Sequence, residues 1–241
     1  MLAALCYHQV GCSKHSNPLE MLDAHFQYIA KRYSVVLPGE PLKKGRLSVC
    51  LTFDDASYDF YHYVYPLLKK WKLRALLAVP TAYILDQTSL DAKTRLEVPY
   101  TLAMQEGIFE TKAPFCTWSE LREMVESGFV KVASHSHLHC NLTFDFVDLQ
   151  REVVQSKEIL EEKLVQPICS FVYPFGRTNE RVDRFVANHY PHSFRLGTGY
   201  NFSWNLKAKA LLRICCDRLI SPEAPFAFKR RALCLLKSFL H

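Results

Sequence analysis

Residues 47–55 read LSVCLTFDD, and the rest of the fold can be built outward from this stretch. The run Leu47–Phe53 is almost entirely apolar or β-favouring, which is typical of a buried strand. Two carboxylates, Asp54 and Asp55, follow the strand directly. In barrels of parallel strands the chemistry lies at the carboxyl ends of the strands, so this junction is the first candidate site.

Short apolar runs alternate with amphipathic segments on both sides of this stretch. The pattern predicts strands at Leu2–Tyr7, Leu47–Phe53, Arg74–Val79, Val130–Ala133, Cys169–Tyr173, Phe194–Leu196 and Leu211–Cys215. It predicts helices at Pro18–Tyr33, Tyr58–Trp71, Trp118–Ser127, Asp145–Leu164 and Asn179–His189, and an excursion with a short helix over residues 80–115. Such alternation indicates an α/β fold whose parallel sheet is closed, or nearly closed, into a barrel.

Composition restricts the class of protein further. The 241 residues, 49% of them hydrophobic, suffice for a single domain with a sizeable core. The net charge of +6 comes from short basic clusters rather than a dense stripe, so no nucleic-acid partner is expected. The sequence has no run of about 18 apolar residues, so we expect no membrane-spanning segment.

The nine cysteines predict a reducing compartment. Several lie inside apolar runs and none forms a Cys-x-x-Cys pair, which disfavours a cysteine zinc site and favours buried free thiols. The opening residues, MLAALCYHQV, lack the features of a signal peptide. We therefore expect a cytoplasmic protein.

Residues 225–241, PFAFKRRALCLLKSFLH, mix aromatic and leucine side chains with four basic ones. They form a candidate C-terminal amphipathic helix with two interpretations. The segment is either a last helix packed on the barrel or a peripheral contact with the anionic inner face of a membrane.

A histidine cluster follows the predicted strand Val130–Ala133. His135 and His139 are four residues apart, a spacing that lets both side chains bind one metal ion from a helical turn. One Asp and two His make a metal site with open positions for water and substrate. A second Asp beside the ligand Asp can then accept a proton from water that the metal activates.

A third motif, Tyr173-Pro174-Phe175-Gly176-Arg177, ends the predicted strand Cys169–Tyr173. Pro and Gly form a tight turn that can expose a backbone N–H, and such a donor can stabilise a developing oxyanion. An ordinary strand-to-helix turn would have the same sequence.

These motifs, in this order, resemble the polysaccharide deacetylase (NodB-type) family of carbohydrate esterases. The family's T-F-D-D motif is matched by residues 52–55 and its H-[ST]-x-x-H motif by residues 135–139. Its R-x-P-[YF] motif is matched in part by residues 172–175, and Tyr7-His8 resembles an opening Y-H-x-V. The resemblance spans about residues 1–220 and implies that residues 1–241 form one catalytic domain, a distorted (β/α)7 barrel.

The resemblance also implies a ligand set. One divalent ion, Zn²⁺ or a similar metal, would be bound by Asp55, His135 and His139. Asp54 would be the catalytic base, and His137, at a variable position of the motif, would not be a ligand.

The third motif supplies the remaining roles that the resemblance implies. The backbone N–H of Phe175 would complete the oxyanion hole, while Tyr173 and Pro174 would line the substrate groove.

Two departures from the family pattern change the expected roles. Val172 stands where an Arg often orients the base, and the late L-x-H motif that supplies the general acid is not recognisable. Arg213 could contact Asp54 instead, because a guanidinium pairs well with a carboxylate. His8, on the first strand, could act as the acid or bind substrate.

The implied activity is removal of an N-acetyl group from an amino sugar or glycan precursor. The partner would be an N-acylated sugar or a lipid-linked or nucleotide-linked glycan. Two alternatives stay open. The first is another carbon–nitrogen hydrolase, such as a sugar deformylase or a cyclic-amide hydrolase, and the second is a sugar-binding protein with a decayed site.

Overall fold

Seven parallel strands close into a barrel in the computed structural model, which describes residues 1–204 and 209–239. They are β1 (Leu2–Tyr7), β2 (Ser48–Phe53), β3 (Ala75–Val79), β4 (Val130–Ser134), β5 (Ser170–Val172), β6 (His192–Leu196) and β7 (Leu211–Cys215). Strand β1 pairs with β2 on one side and with β7 on the other, which closes the sheet. The predicted single-domain (β/α)7 barrel is confirmed.

Helices alternate with these strands. They are α1 (Leu19–Arg32), α2 (Tyr65–Trp71), α3 (Ala92–Leu96), α4 (Ile108–Lys112), α5 (Trp118–Glu126), α6 (Ser156–Leu164), α7 (Glu180–Ala187) and α8 (Phe228–Phe239). A π-helical segment precedes α2 at Phe60–Val64 and α6 at Gln150–Gln155, and 3₁₀ turns lie at Thr81–Tyr83, Pro174–Gly176 and Ala224–Phe226. Two-residue strands lie at Gln9–Val10, Ser16–Asn17 and Ser34–Val35.

Alternate residues of each strand enter two different apolar clusters, because successive side chains of a strand point to opposite faces. One cluster fills the barrel with mostly small side chains: Leu2, Ala4, Cys50, Leu76, Ala78, Ala133, Val172, Phe194 and Leu211. The other joins the outward strand faces to the helices and includes Ala3, Leu5, Val49, Leu51, Phe26 and Leu68. All of Ser48–Phe53 is buried, as its apolar sequence predicts.

Local hydrogen bonds set where the helices begin. Thr117 and Glu120 bond each other's backbone N–H at the start of α5, the reciprocal cap that favours a helix start there. The predicted helix Asp145–Leu164 instead begins only near residue 149. The Asp148 carboxylate accepts the N–H of Gln150 at 2.9 Å and so fixes the first turn, while residues 145–147 form turns.

The excursion over residues 80–115 contains two short helices, α3 and α4, where the sequence predicts one. Asp91 caps α3 through the N–H of Thr94, and Glu110 bonds the N–H of Gly107 at the start of α4. Each helix is a single capped turn, too short to give the hydrophobic periodicity from which helices are predicted.

The C-terminal tail is a docked helix preceded by a turn. Phe226 is buried and stacks on Tyr33 with ring centroids 4.3 Å apart, and the Ser238 hydroxyl accepts the N–H of Tyr200 at 2.7 Å. Residues 240–241 lie outside the described part of the chain. No helix within residues 1–204 and 209–239 is long and apolar enough to cross a membrane.

The structure leaves all nine cysteines as free thiols. Five of them are buried: Cys6, Cys50, Cys116, Cys216 and Cys234. Burial raises the pKa of each of these five thiols, which keeps them protonated and unreactive.

Candidate active site

Strand β2 delivers Asp54 and Asp55 to the carboxyl end of the barrel, where both carboxylates are buried. The N–H of Asp54 still continues the β-ladder, donating to the Tyr7 carbonyl at 3.0 Å. The chain then turns sharply, because Asp55 and Ala56 both have left-handed backbone, with φ of 70° and 52°. Positive φ at residues other than glycine is strained, and such strain concentrates at functional sites.

Asp54 forms an ion pair with Arg213, which rises from β7 inside the barrel and is fully buried. The guanidinium donates to both carboxylate oxygens, at 2.6 and 2.8 Å. Burial alone would raise the pKa of Asp54, but the Arg213 charge and its hydrogen bonds outweigh burial and lower the pKa to about 2. Asp54 is therefore ionised and held in one orientation.

Asp55 faces two imidazoles rather than a cation. Its Oδ1 lies 3.5 Å from Nε2 of His135 and 3.3 Å from Nε2 of His139. Its Oδ2 accepts a hydrogen bond from the Tyr100 hydroxyl at 2.7 Å. The buried Oδ1 has no hydrogen-bond partner, a costly state for a carboxylate oxygen unless a ligand completes it.

The neighbours of the two histidines orient their rings toward Asp55. His135 Nδ1 lies 2.8 Å from the Val172 carbonyl, so this nitrogen carries the proton and Nε2 is left as an electron-pair donor. Burial lowers the pKa of His139 to about 4, which keeps its ring neutral. The donor atoms of Asp55, His135 and His139 all lie within 4.8 Å of one another, and these residues could hold a metal ion.

His8, at the end of β1, lies on the other side of Asp54. Its Nε2 is 3.7 Å from Asp54 Oδ2, and its Nδ1 is 2.7 Å from Asp217 Oδ2. Burial lowers the pKa of His8, but the hydrogen bond to Asp217 and the nearby carboxylates outweigh burial and raise the pKa to about 9. The ring is therefore an imidazolium at neutral pH, and its Nε2 faces the Asp54 carboxylate.

The turn after β5 borders the histidines. Phe175 has φ of 58°, its side chain is exposed, and its ring centroid lies 4.8 Å from that of His139. Gly176 also has positive φ, and a Cβ there would lie 2.6 Å from the Leu196 Cβ, so the turn requires glycine. Pro174 is buried at the start of the turn.

Tyr173 has its side chain in the core, where it packs edge-on against Phe171 at 5.2 Å. It therefore supports the turn from below, and its predicted contact with substrate stays a prediction. His137 Nδ1 lies 2.9 Å from the Thr81 hydroxyl, and His137 is outside the group formed by Asp55, His135 and His139.

Sequence reasoning missed two residues that shape the site. Tyr100 lies on the irregular excursion, where no periodicity or motif indicates a role. Asp217 follows β7 by two residues, and the strand-end rule that found Asp54 would also have found it.

Residues 42–193 match a family model described as Polysaccharide deacetylase. A protein of Bacillus subtilis (strain 168) named "Putative polysaccharide deacetylase YxkH" is 25% identical over 189 residues, covering 74% of this chain. The match covers 58% of that relative, so this chain spans less than two thirds of its length.

Solved structures share the fold. The Streptococcus pyogenes deacetylase PplD in complex with acetate gives a TM-score of 0.71 at 23% identity, covering 92% of this chain and 95% of that one. A de-N-acetylase from Aggregatibacter actinomycetemcomitans gives a TM-score of 0.70 at 20% identity, covering 95% and 97%. Because the family model matches more than half of the sequence, this chain belongs to the polysaccharide deacetylase family.

Proposed function

We propose that this protein is a divalent-metal-dependent hydrolase that removes an N-acetyl group from an amino sugar or glycan precursor. Family membership supports deacetylase activity in general. The observation that carries the specific proposal is the contrast between the two carboxylates: Asp54 is paired with the Arg213 guanidinium, whereas Asp55 shares one pocket with two imidazoles.

Asp55, His135 and His139 are the proposed ligands, and the nitrogen and oxygen donor set suits Zn²⁺. A divalent ion bound here would polarise the acyl oxygen and lower the pKa of water. The orphaned Asp55 Oδ1 and the Val172-anchored ring of His135 support this assignment.

The protein's own groups would move the protons. Asp54 would accept a proton from the attacking water, and its low pKa keeps it in the ionised form that accepting a proton requires. His8 would give a proton to the departing amine, while Asp217 holds the opposite ring nitrogen. Arg213 is a positioning residue, because a guanidinium does not exchange its proton near neutral pH and its bidentate contact fixes Asp54.

The turn after β5 would bind the reacting acyl group. The Phe175 N–H is the proposed oxyanion donor, supported by the left-handed backbone at Phe175 and by its contact with His139. Pro174, buried beneath the turn, would shape the groove.

The C-terminal helix supports a finer proposal on location, namely a cytoplasmic protein that contacts the inner membrane face and acts on a lipid-linked sugar. Phe228 is 87% exposed and Leu236 61% exposed, so α8 presents apolar side chains to solvent although its other face is docked. Lys229 and Arg231, on the same helix, are also exposed. An apolar face flanked by basic side chains fits an anionic lipid surface.

The activity is tested by acetate release from a panel of N-acetylglucosamine compounds: the free sugar, oligomers, and nucleotide-linked and lipid-linked forms. We expect Zn²⁺-dependent acetate release that a chelator abolishes and added Zn²⁺ restores. Asp54→Asn serves as the inactive control. Formate release, or the absence of any acyl release from the metal-loaded protein, would contradict the proposal.

The membrane contact is tested by sedimentation with anionic vesicles at low and high salt. Wild type should pellet at low salt and be released at high salt, and Phe228→Ser with Leu236→Ser should weaken pelleting. Phe146→Ser, which removes an exposed aromatic ring from another part of the surface, is the matched control. Wild type that stays in the supernatant at low salt would overturn this part of the proposal.

A further inference from the structure

Three side chains with metal-binding atoms converge on one carboxylate oxygen beside the proposed active site. Asp217 Oδ2 lies 2.7 Å from His8 Nδ1, 3.8 Å from His15 Nδ1 and 3.7 Å from the Cys215 Sγ. None of these four residues belongs to the group formed by Asp55, His135 and His139. We call them the Asp217 cluster.

Backbone hydrogen bonds hold the cluster together. The loop that carries His15 is closed by the paired strands Gln9–Val10 and Ser16–Asn17. That loop is tied to the segment after β7, because the Asn17 amide donates to the Cys216 carbonyl at 2.9 Å and the N–H of Arg218 donates to the Ser16 carbonyl at 3.0 Å. The donor atoms therefore come from two rigidly connected segments rather than from a free loop.

The spacing is close to that of a tetrahedral metal site. The donor atoms of His8, His15 and Asp217 lie within 4.8 Å of one another. Donors bound to one Zn²⁺ at about 2.0–2.3 Å lie roughly 3.3–3.8 Å apart, so each of these three donors would shift by only about an ångström. Two imidazoles and a carboxylate form a donor set that Zn²⁺ prefers, and the Cys215 thiol, whose Sγ lies 3.7 Å from Asp217 Oδ2, is the candidate fourth ligand.

Access to the cluster is from solvent. Asp217 is 5% exposed and His8 is 14% exposed, whereas His15 is 43% exposed and Cys215 is exposed. An ion would therefore enter past His15 and Cys215 without passing through the Asp55 pocket.

We propose that the Asp217 cluster is a second site for a Zn²⁺-type ion, separate from the Asp55 site and weaker than it. It is weaker because the ion must displace the proton shared by His8 and Asp217 and the thiol proton of Cys215, so binding competes with protons. At the Asp55 site Nε2 of both histidines already faces the carboxylate oxygen, and no hydrogen bond to that oxygen has to break.

The second site would inhibit the enzyme, and this consequence rests on the proposed role of His8. A ring that holds a metal ion on Nδ1 keeps its Nε2 proton but is a much weaker acid than an imidazolium, so it would give a proton to the departing amine far more slowly. Excess zinc would therefore slow deacetylation, while stoichiometric zinc supports it.

Equilibrium dialysis of the full chain against ⁶⁵Zn²⁺, without substrate, tests the site independently of any activity. Wild type should bind two ions per chain, one tightly and one at least about tenfold more weakly. The double variant His15→Ala, Cys215→Ala should keep the tight ion and weaken the second at least about tenfold. His139→Ala should lose the tight ion and keep the weaker one. His62→Ala, which removes an exposed histidine elsewhere, should bind both ions as wild type does.

The result that overturns the site is a single bound ion in wild type up to millimolar zinc, or a second ion that persists in the double variant. Rate measurements at rising zinc then test the inhibition. The double variant should keep near wild-type turnover at stoichiometric zinc and lose at least about tenfold of its sensitivity to excess zinc. If the second ion binds but excess zinc inhibits wild type and the double variant equally, the second site is supported and the proposed role of His8 is wrong.

Discussion

Asp54 and Asp55 are neighbours in sequence, yet they face opposite electrostatic environments. Asp54 receives two hydrogen bonds from a buried guanidinium, so its charge is compensated within the protein. No guanidinium or ammonium group in the described part of the chain donates a hydrogen bond to Asp55, and its Oδ1 has no hydrogen-bond partner there. The left-handed backbone at Asp55 separates the two side chains.

The difference shows how one sequence pair can supply two roles. A carboxylate whose negative charge is already balanced by a guanidinium does not need a metal ion and can accept and release a proton. A buried carboxylate that faces two imidazole nitrogens is stabilised when a cation binds between them. The proposed division into base and ligand follows from these surroundings rather than from the residue type, which is the same at both positions.

Among substitutions around Asp54, removal of Arg213 should produce the largest loss in the free energy of unfolding. Arg213→Met keeps the volume but leaves Asp54 charged and unpaired, so the free energy of unfolding should fall by about 3–5 kcal/mol. The double variant with Asp54→Asn should recover much of that loss. Denaturant unfolding of the two single variants and the double variant measures this coupling, and a loss below about 1 kcal/mol in Arg213→Met would contradict the buried ion pair.

On the Asp55 side, His139→Ala should cost most of the metal affinity. One of the three proposed protein ligands is lost, so the affinity for Zn²⁺ should fall by more than about 100-fold, beyond the effect of losing an outer-shell partner. Competition with a chromogenic chelator measures the dissociation constant. His137→Ala is the matched control two positions away, and equal affinity in wild type and His139→Ala would remove His139 from the ligand set.

Tyr100→Phe should have a smaller effect on the same side. Its hydroxyl holds Asp55 Oδ2, so losing it should weaken metal binding by about 10–100-fold while the fold is unchanged. Tyr61→Phe removes a hydroxyl that contacts Glu123 on the surface and should leave the affinity unchanged. Unchanged affinity in Tyr100→Phe would show that the contact does not orient Asp55.

Asp217→Asn should move only the alkaline limb of the pH–rate profile. The proposed donor His8 loses its proton as pH rises through its pKa of about 9, so turnover should fall on the alkaline side. The hydrogen bond to Asp217 helps to raise that pKa, so removing the carboxylate should shift the limb to lower pH by about one unit or more. A limb that does not move would separate Asp217 from proton donation.

The sequence predicted the barrel well because its strands are apolar runs and its motifs fall at strand ends. The apolar stretch Leu47–Phe53 predicts a strand that ends at Asp54 and Asp55, and the structure places both carboxylates there. The contact of Arg213 with Asp54 was also expected, because Val172 replaces the arginine that often orients the base and a guanidinium pairs well with a carboxylate.

Tyr100 could not be predicted in the same way. It reaches Asp55 across 45 positions from a segment with no periodicity, and only the tertiary structure brings the two together. The approach of His8 and His15 to Asp217 is likewise a product of barrel closure, since the pairing of β1 with β7 joins segments from opposite ends of the chain. Spacing along the sequence carries no signal for such contacts.

The most direct test of the division between base and ligand is to measure metal content and turnover together in Asp54→Asn and Asp55→Asn. Asp54→Asn should keep about one ion per chain at stoichiometric zinc while turnover falls at least about 10²-fold. Asp55→Asn should lose the ion, and turnover should fall with it. If Asp54→Asn also loses the ion, both carboxylates are ligands and the division between them is wrong.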